Sequence, residues 1–110
     1  MTTNLLSAST LNGDSVKNAQ GEDLGKIEDM MIDVASGQIE YAVLSFGGFL
    51  GIGDKYFAVP YKQLSVDQAN KCMVLNVPKD RLKDAPGFDK DNWPNFADQS
   101  FRTSISEYYR

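Results

Sequence analysis

Turn-forming residues recur along the chain about every ten residues, and this spacing constrains the fold more than any other feature. The turns include Asn12-Gly13, Gln20-Gly21, Leu24-Gly25, Ser36-Gly37 and Pro86-Gly87. Between them lie short runs rich in β-branched and aromatic residues. Such runs are typical of small all-β sandwiches and barrels. The 110 residues make one domain, which is long enough to bury a single core without disulfides.

The clearest unit is a hairpin in the first half of the chain. Residues 27–34 and 38–46 predict two paired strands, joined by a turn in which Gly37 supplies a positive φ. Strict alternation would place Ile27 and Met31 on one face of the first strand and Met30 and Ile32 on the other, so neither face would be clearly apolar or polar. A β-bulge near residues 29–30 would reconcile the two sets. Neither face of the second strand is strongly polar, so we expect both faces to be covered.

The remaining segments predict three more strands and a short helix. Strands are expected around Val16, over residues 55–59 and over residues 72–77. Pro60 should end the second of these because it has no N–H to donate. Pro78 and Pro86 bracket a short helix. The polar segment from residue 89 to the end carries many aromatic side chains, which predicts an arm that docks and ends in a turn or two of helix over residues 104–109.

The glycine-rich stretch GGFLGIG, residues 47–53, invites comparison with phosphate-binding loops. A dinucleotide loop needs a third glycine where Tyr56 stands, and a P-loop needs Gly-Lys-Ser/Thr. A β pattern also follows the stretch, so no helix N-terminus is available to hold a phosphate. We therefore interpret the stretch as a hairpin connection. Its apolar residues Phe49, Leu50 and Ile52 either fold over an open barrel end or form an exposed tip for association.

Composition excludes several kinds of chemistry. The chain has no histidine and one cysteine, Cys72, so histidine-assisted nucleophiles and His/Cys zinc sites are excluded, and no cofactor is expected. The formal charge is −4 and basic residues do not cluster, which disfavours direct nucleic-acid binding. A single cysteine fits a reducing compartment. No signal peptide or membrane span is evident, so a cytoplasmic location is expected.

Carboxylates are the remaining catalytic or metal-binding material. Glu28, Asp29 and Asp33 follow one another along the first hairpin strand, and Asp29 and Asp33 are expected on one face. A hydrolase would need such a pair in a cleft. In a short exposed hairpin, a solvated acidic face is the favoured interpretation.

The order of these motifs resembles the PRC-barrel family. The resemblance rests on Gly21-Glu22, on Leu24-Gly25-Lys26-Ile27 with Asp29, on Gly37, and on Lys55-Tyr56-Phe57-Ala58-Val59-Pro60. The segment LKDAPGF, residues 82–88, is similar to the end of small stand-alone bacterial members. The resemblance implies a small antiparallel β-barrel of about six strands over residues 5–88, with residues 89–110 as an extension. It implies binding or assembly work rather than catalysis, and no functional residues are carried over from it.

We therefore predict a mainly β, non-enzymatic protein-interaction or assembly module, homodimeric through exchanged tails. The predicted contact residues are Phe49, Leu50, Ile52, Trp93, Phe96, Tyr108 and Tyr109. One alternative is a ribosome- or RNA-processing-associated factor. Another is a barrel that binds a small molecule or a metal through its carboxylates.

Overall fold

The described part of the chain is mainly β, as predicted, with three short helices. The computed structural model describes residues 6–47, 54–67, 69–89 and 91–109. The strands are β1 (Ser15–Lys17), β2 (Asp23–Asp33), β3 (Gln38–Gly47), β4 (Asp54–Pro60), β5 (Leu64–Asp67), β6 (Cys72–Leu75) and β7 (Gly87–Phe88). The helices are α1 (Ala8–Leu11), α2 (Lys79–Lys83) and α3 (Gln99–Tyr108), and a 3-10 turn spans Tyr61–Gln63.

The described strands form one curved sheet in the order β5-β6-β1-β2-β3-β4-β7. Neighbouring strands are antiparallel except β1 and β6, which run parallel. The five strands located from the sequence did not include β5 and β7, which have four and two residues. Strands this short carry too little alternation to be recognised by pattern alone. Strands β5 and β7 stand at the two ends of the order, so the sheet is not closed.

The hairpin of β2 and β3 has the predicted turn and the predicted bulge. Ile27 pairs with Leu44 and Asp29 with Val43, which leaves Glu28 as the additional residue. The turn is closed by the Gly37 N–H, which donates to the Asp33 carbonyl at 2.7 Å, with Gly37 at a φ of +78°. Val34 was predicted as the last residue of the strand, but it lies in the turn.

Strand β3 is the centre of the packing, because its residues from Tyr41 to Phe46 are buried on both faces. Ala42 and Leu44 point one way, into a core that includes Phe57, Val59 and Leu24. Val43 and Ser45 share the opposite face with Tyr41. The expectation that both faces of this strand are covered is therefore confirmed.

Gly25 is the position where the hairpin tolerates no side chain. Its φ is +101°, and a Cβ atom placed there would lie 2.1 Å from the backbone oxygen of Ser45 on the neighbouring strand. Gly37 also has a positive φ, but no atom lies within 4 Å of the equivalent Cβ position. Gly25 is therefore required because a side chain would collide with Ser45, whereas Gly37 is favoured only for its positive φ.

We expect Gly25→Ala to lower the free energy of unfolding by about 3 kcal/mol or more, since it adds a backbone collision to the strain of a positive φ. The control Gly37→Ala should cost about 1 to 2 kcal/mol, from conformational strain alone. Urea unfolding of both variants measures the difference. Equal losses would contradict the close approach of Gly25 to Ser45.

Candidate protein-interaction surface

The segment after β7 folds back over the outer face of β3 and β4. On β4, the ring of Tyr56 lies edge-on to Phe88 and to Trp93, with centroids 6.0 and 5.7 Å apart. Phe96 packs against Phe88 at 6.1 Å and against Trp93 at 6.3 Å. These rings form a connected aromatic cluster, and the arm docks on its own chain in this structure.

The same arm reaches β3 through helix α3. Tyr41 contacts Phe96 at 5.7 Å and Phe101 at 6.4 Å between ring centroids. The helix begins after Asp98, whose carboxylate accepts a hydrogen bond from the Ser100 N–H at 2.9 Å. Hydrogen bonds from Ser100 lower the pKa of the Asp98 carboxyl. Helix α3 has ten residues, longer than the one or two turns predicted from the sequence.

The end of the arm inserts side chains into the core. Ile105 is fully buried and Tyr109 is 5% exposed. Tyr108 donates its hydroxyl hydrogen to the Arg81 carbonyl, and the Arg81 guanidinium donates to the Tyr108 carbonyl and lies over its ring. The Tyr109 hydroxyl is buried with no hydrogen-bond partner among the described residues. Burial raises the pKa of Tyr109, since the phenolate would lose its hydration.

The tip of the β2–β3 hairpin exposes apolar side chains beside the arm. Ile32 is 52% exposed and Val34 is 94% exposed. Together with Met31, Phe96 and Ala97 they line a groove of about 360 Å³ between the hairpin and the arm. Trp93, whose ring contacts that of Phe96, is 39% exposed. We call the surface formed by Ile32, Val34, Phe96 and Trp93 the apolar strip.

Arg102 on α3 pairs with a residue of the hairpin at the edge of this groove. Its guanidinium lies 3.8 Å from the Glu40 carboxylate on β3. Hydrogen bonding with Tyr41 raises the pKa of Arg102, and the carboxylates of Glu40 and Asp33 add to the effect. Because both partners of the ion pair are well exposed, solvent screens their attraction and the pair adds little to stability. A second, polar groove of about 530 Å³ lies on the other side of Arg102, lined by Gln38, Lys62 and Glu107 among others.

The predicted contact residues occupy different environments. Trp93 is partly exposed, Phe96 and Tyr108 are half-buried against their own chain, and Tyr109 is buried. Phe49, Leu50 and Ile52 lie outside the described residues, and their contact role stays a prediction. The sequence pattern did not identify Ile32 and Val34 as surface residues. A signal was present for Val34, because it directly follows Asp33, a residue type that often begins a turn, and turns lie at the surface.

The carboxylates of β2 are exposed and are held by local hydrogen bonds. Asp29 accepts from the Met30 N–H at 2.8 Å and Asp33 from the Ala35 N–H at 2.9 Å. Within the described ranges, no three His, Cys, Asp or Glu side chains come together in a group that could hold a metal ion. In the same part of the chain, no helix is both long and apolar enough to cross a bilayer.

Comparison with known proteins gives one family match. A family model described as PRC-barrel domain matches residues 4–82. No curated protein matches the chain. The 36 matching chains of solved structures include a candidate 16S ribosomal RNA processing protein, RimM, from Pseudomonas aeruginosa. It is 22% identical with a TM-score of 0.48, and the match covers 68% of this chain and 45% of that one. The chain thus spans less than half the length of that protein.

We expect Tyr109→Phe to raise the free energy of unfolding by about 1 kcal/mol, because it removes a buried hydroxyl that has no described partner and keeps the ring. The matched control Tyr108→Phe loses the hydrogen bond to the Arg81 carbonyl and should lower stability by about 1 kcal/mol. Thermal or urea unfolding distinguishes the two. A loss of stability in Tyr109→Phe would mean that the hydroxyl has a partner.

The free energy of unfolding should fall in alkaline solution because of Tyr109. In the unfolded chain Tyr109 ionises near its ordinary pKa of about 10, whereas the folded chain keeps it neutral. The contribution of the neutral Tyr109 side chain to the free energy of unfolding is therefore complete below about pH 10 and is lost as the pH rises above that value. Urea unfolding between pH 8 and pH 11 should show a steeper decline for the wild type than for Tyr109→Phe. Parallel profiles would contradict the assignment.

Proposed function

The chain belongs to the PRC-barrel family, and from this membership and the apolar strip we propose that it is a non-catalytic protein-interaction module that assembles as a homodimer. The observation that carries the proposal is the distribution of exposed apolar side chains. Among the described residues five large ones are exposed, and three of these, Ile32, Val34 and Trp93, lie along the apolar strip. Exposed apolar side chains grouped on one surface are a feature of interaction sites.

The strip has the composition that an interface needs at its centre. Trp93 presents a large, partly desolvated ring held by Tyr56 and Phe88, so little conformational freedom is lost when it is covered. Ile32 and Val34 project from a hairpin, and the groove beside them accommodates apolar side chains of a second molecule. Arg102 and Glu40 supply a polar rim.

A non-catalytic role is supported by the residue types present. The chain has no histidine, the side chain that most often acts as a general base near neutral pH. The side chains of Glu28, Asp29 and Asp33 are exposed on a strand and are not buried in an enclosed site. The metal- or small-molecule-binding barrel stays a prediction, as does the ribosome- or RNA-associated factor. In the latter case we expect a protein contact, since basic residues are scattered.

We expect the wild type to sediment at about twice the mass of one chain, and the double variant Ile32→Ser/Val34→Ser to weaken self-association at least about tenfold. Burying an apolar side chain of this size contributes about 1.5 to 3 kcal/mol, and about 1.4 kcal/mol corresponds to a factor of ten. Sedimentation velocity over a concentration series measures the dissociation constant.

The matched control is Val66→Ser on β5, because Val66 is 39% exposed, like Trp93, but lies outside the apolar strip. This variant should leave the dissociation constant unchanged. A wild type that stays monomeric at every concentration would overturn the homodimer. Equal weakening in the control and the double variant would overturn the strip as its interface.

A further inference from the structure

Strand β2 has an outer edge that is paired along only half of its length. Strand β1 pairs with the first half, from Lys17 opposite Asp23 to Ser15 opposite Lys26. Gly13 and Asp14 continue this edge by hydrogen bonds to the carbonyl and the N–H of Ile27, at 2.7 and 2.9 Å. Beyond Ile27, no strand among the described residues pairs with the outer side of β2. The half from Glu28 to Asp33 is therefore an open sheet edge.

Two hydrogen bonds identify the backbone groups that face this edge. The Met30 N–H donates to the Asp29 carboxylate at 2.8 Å, so it does not point toward β3. The Asp33 carbonyl accepts from Gly37 of the hairpin turn, so Asp33 does face β3. Since backbone groups alternate in direction along an antiparallel strand, Met30 and Ile32 face the open edge and Met31 and Asp33 face β3. Among the described residues, a hydrogen bond to this edge is found at the Met30 N–H, and its acceptor is the Asp29 carboxylate of the same strand.

The side chains around the open edge are acidic. Glu28, Asp29 and Asp33 are all exposed, and the segment from Glu28 to Asp33 contains no basic residue. The neighbouring cations are Lys26, on the half paired with β1, and Arg102, which lies beside Glu40. A second copy of β2 in antiparallel pairing would bring these carboxylates together, and like charges on adjacent strands are destabilising. The charge of the edge thus favours a basic occupant over self-pairing.

We propose that the open edge of β2 accepts an extended, basic segment of a partner protein as an added strand. The partner's backbone hydrogen-bonds to Met30 and Ile32, and its lysine or arginine side chains lie beside Glu28, Asp29 and Asp33. A partner carbonyl replaces the Asp29 carboxylate on the Met30 N–H, which frees that carboxylate to pair with a partner cation. The inference rests on the proposed function in that it names the chemistry of a protein partner.

The test is an NMR titration of the full chain with a short capped peptide that alternates lysine and valine. We expect chemical-shift changes centred on residues 28–33 and slower hydrogen exchange at the Met30 and Ile32 amides, because both become paired. The control peptides alternate glutamate and valine, or carry N-methyl groups on alternate amides of the basic sequence in either phase. Equal binding of the acidic peptide, or of both N-methylated peptides, would overturn the proposal.

Variants of the protein provide a second readout. Glu28→Lys should weaken binding of the basic peptide about tenfold, and Asp29→Asn, which keeps an acceptor for the Met30 N–H, should weaken it less. The control is Asp84→Lys, an exposed carboxylate at the end of α2 outside the edge. An unchanged affinity in Glu28→Lys, or the same loss in the control, would overturn the proposal.

Failure of this inference is distinguishable from failure of the proposed function. Sedimentation of Glu28→Lys should give the same self-association as the wild type, because the homodimer is assigned to side chains of the apolar strip. If the peptide binds without protection of the Met30 and Ile32 amides, strand addition is wrong whereas protein binding is retained. If the peptide does not bind but the chain dimerises, the inference alone is overturned.

Discussion

Burial of β3 on both faces is the constraint on which the rest of the structure depends. Ala42 and Leu44 are covered by the core of the curved sheet, but Val43 is also fully buried on the opposite face. A single sheet of this size cannot cover its own outer face, so another part of the chain has to do it. The arm provides that cover through the contacts of Phe96 and Phe101 with Tyr41 and of Trp93 with Tyr56.

The arm covers the outer face incompletely, and the apolar strip is the consequence. Its rings meet β3 and β4, while the β2–β3 hairpin extends past them and leaves Ile32 and Val34 exposed. The hairpin also extends past β1, which opens the edge at Met30 and Ile32. The length of β2 relative to its neighbours therefore exposes Ile32 in the apolar strip and opens the acidic edge, whereas Phe96 and Trp93 reach the strip from the arm. The exposed apolar side chains favour contact with another apolar surface, and the unpaired backbone groups of β2 favour the addition of a partner strand.

The elements that could be predicted are those whose signal is local. The bulge at Glu28 followed from broken alternation, and the turn followed from Gly37. Helix α3 was predicted too short, although Asp98 as a cap and Phe101, Ile105 and Tyr108 at helical spacing were available signals. Strand β7 had no local signal, because its two residues are strand only by pairing with Tyr56 and Phe57.

The sequence by itself determined the turn at Gly37, the long hairpin and the family, because each depends on residue types at fixed spacing, and its composition excluded histidine chemistry. Only the tertiary structure decided which aromatic side chains of the arm are buried, as Tyr109 is, and which are exposed, as Trp93 is. It also decided that Met30 and Ile32 face an unpaired edge. Burial and pairing depend on where other segments end in space, and the alternation of one strand contains no information about the length of its neighbour.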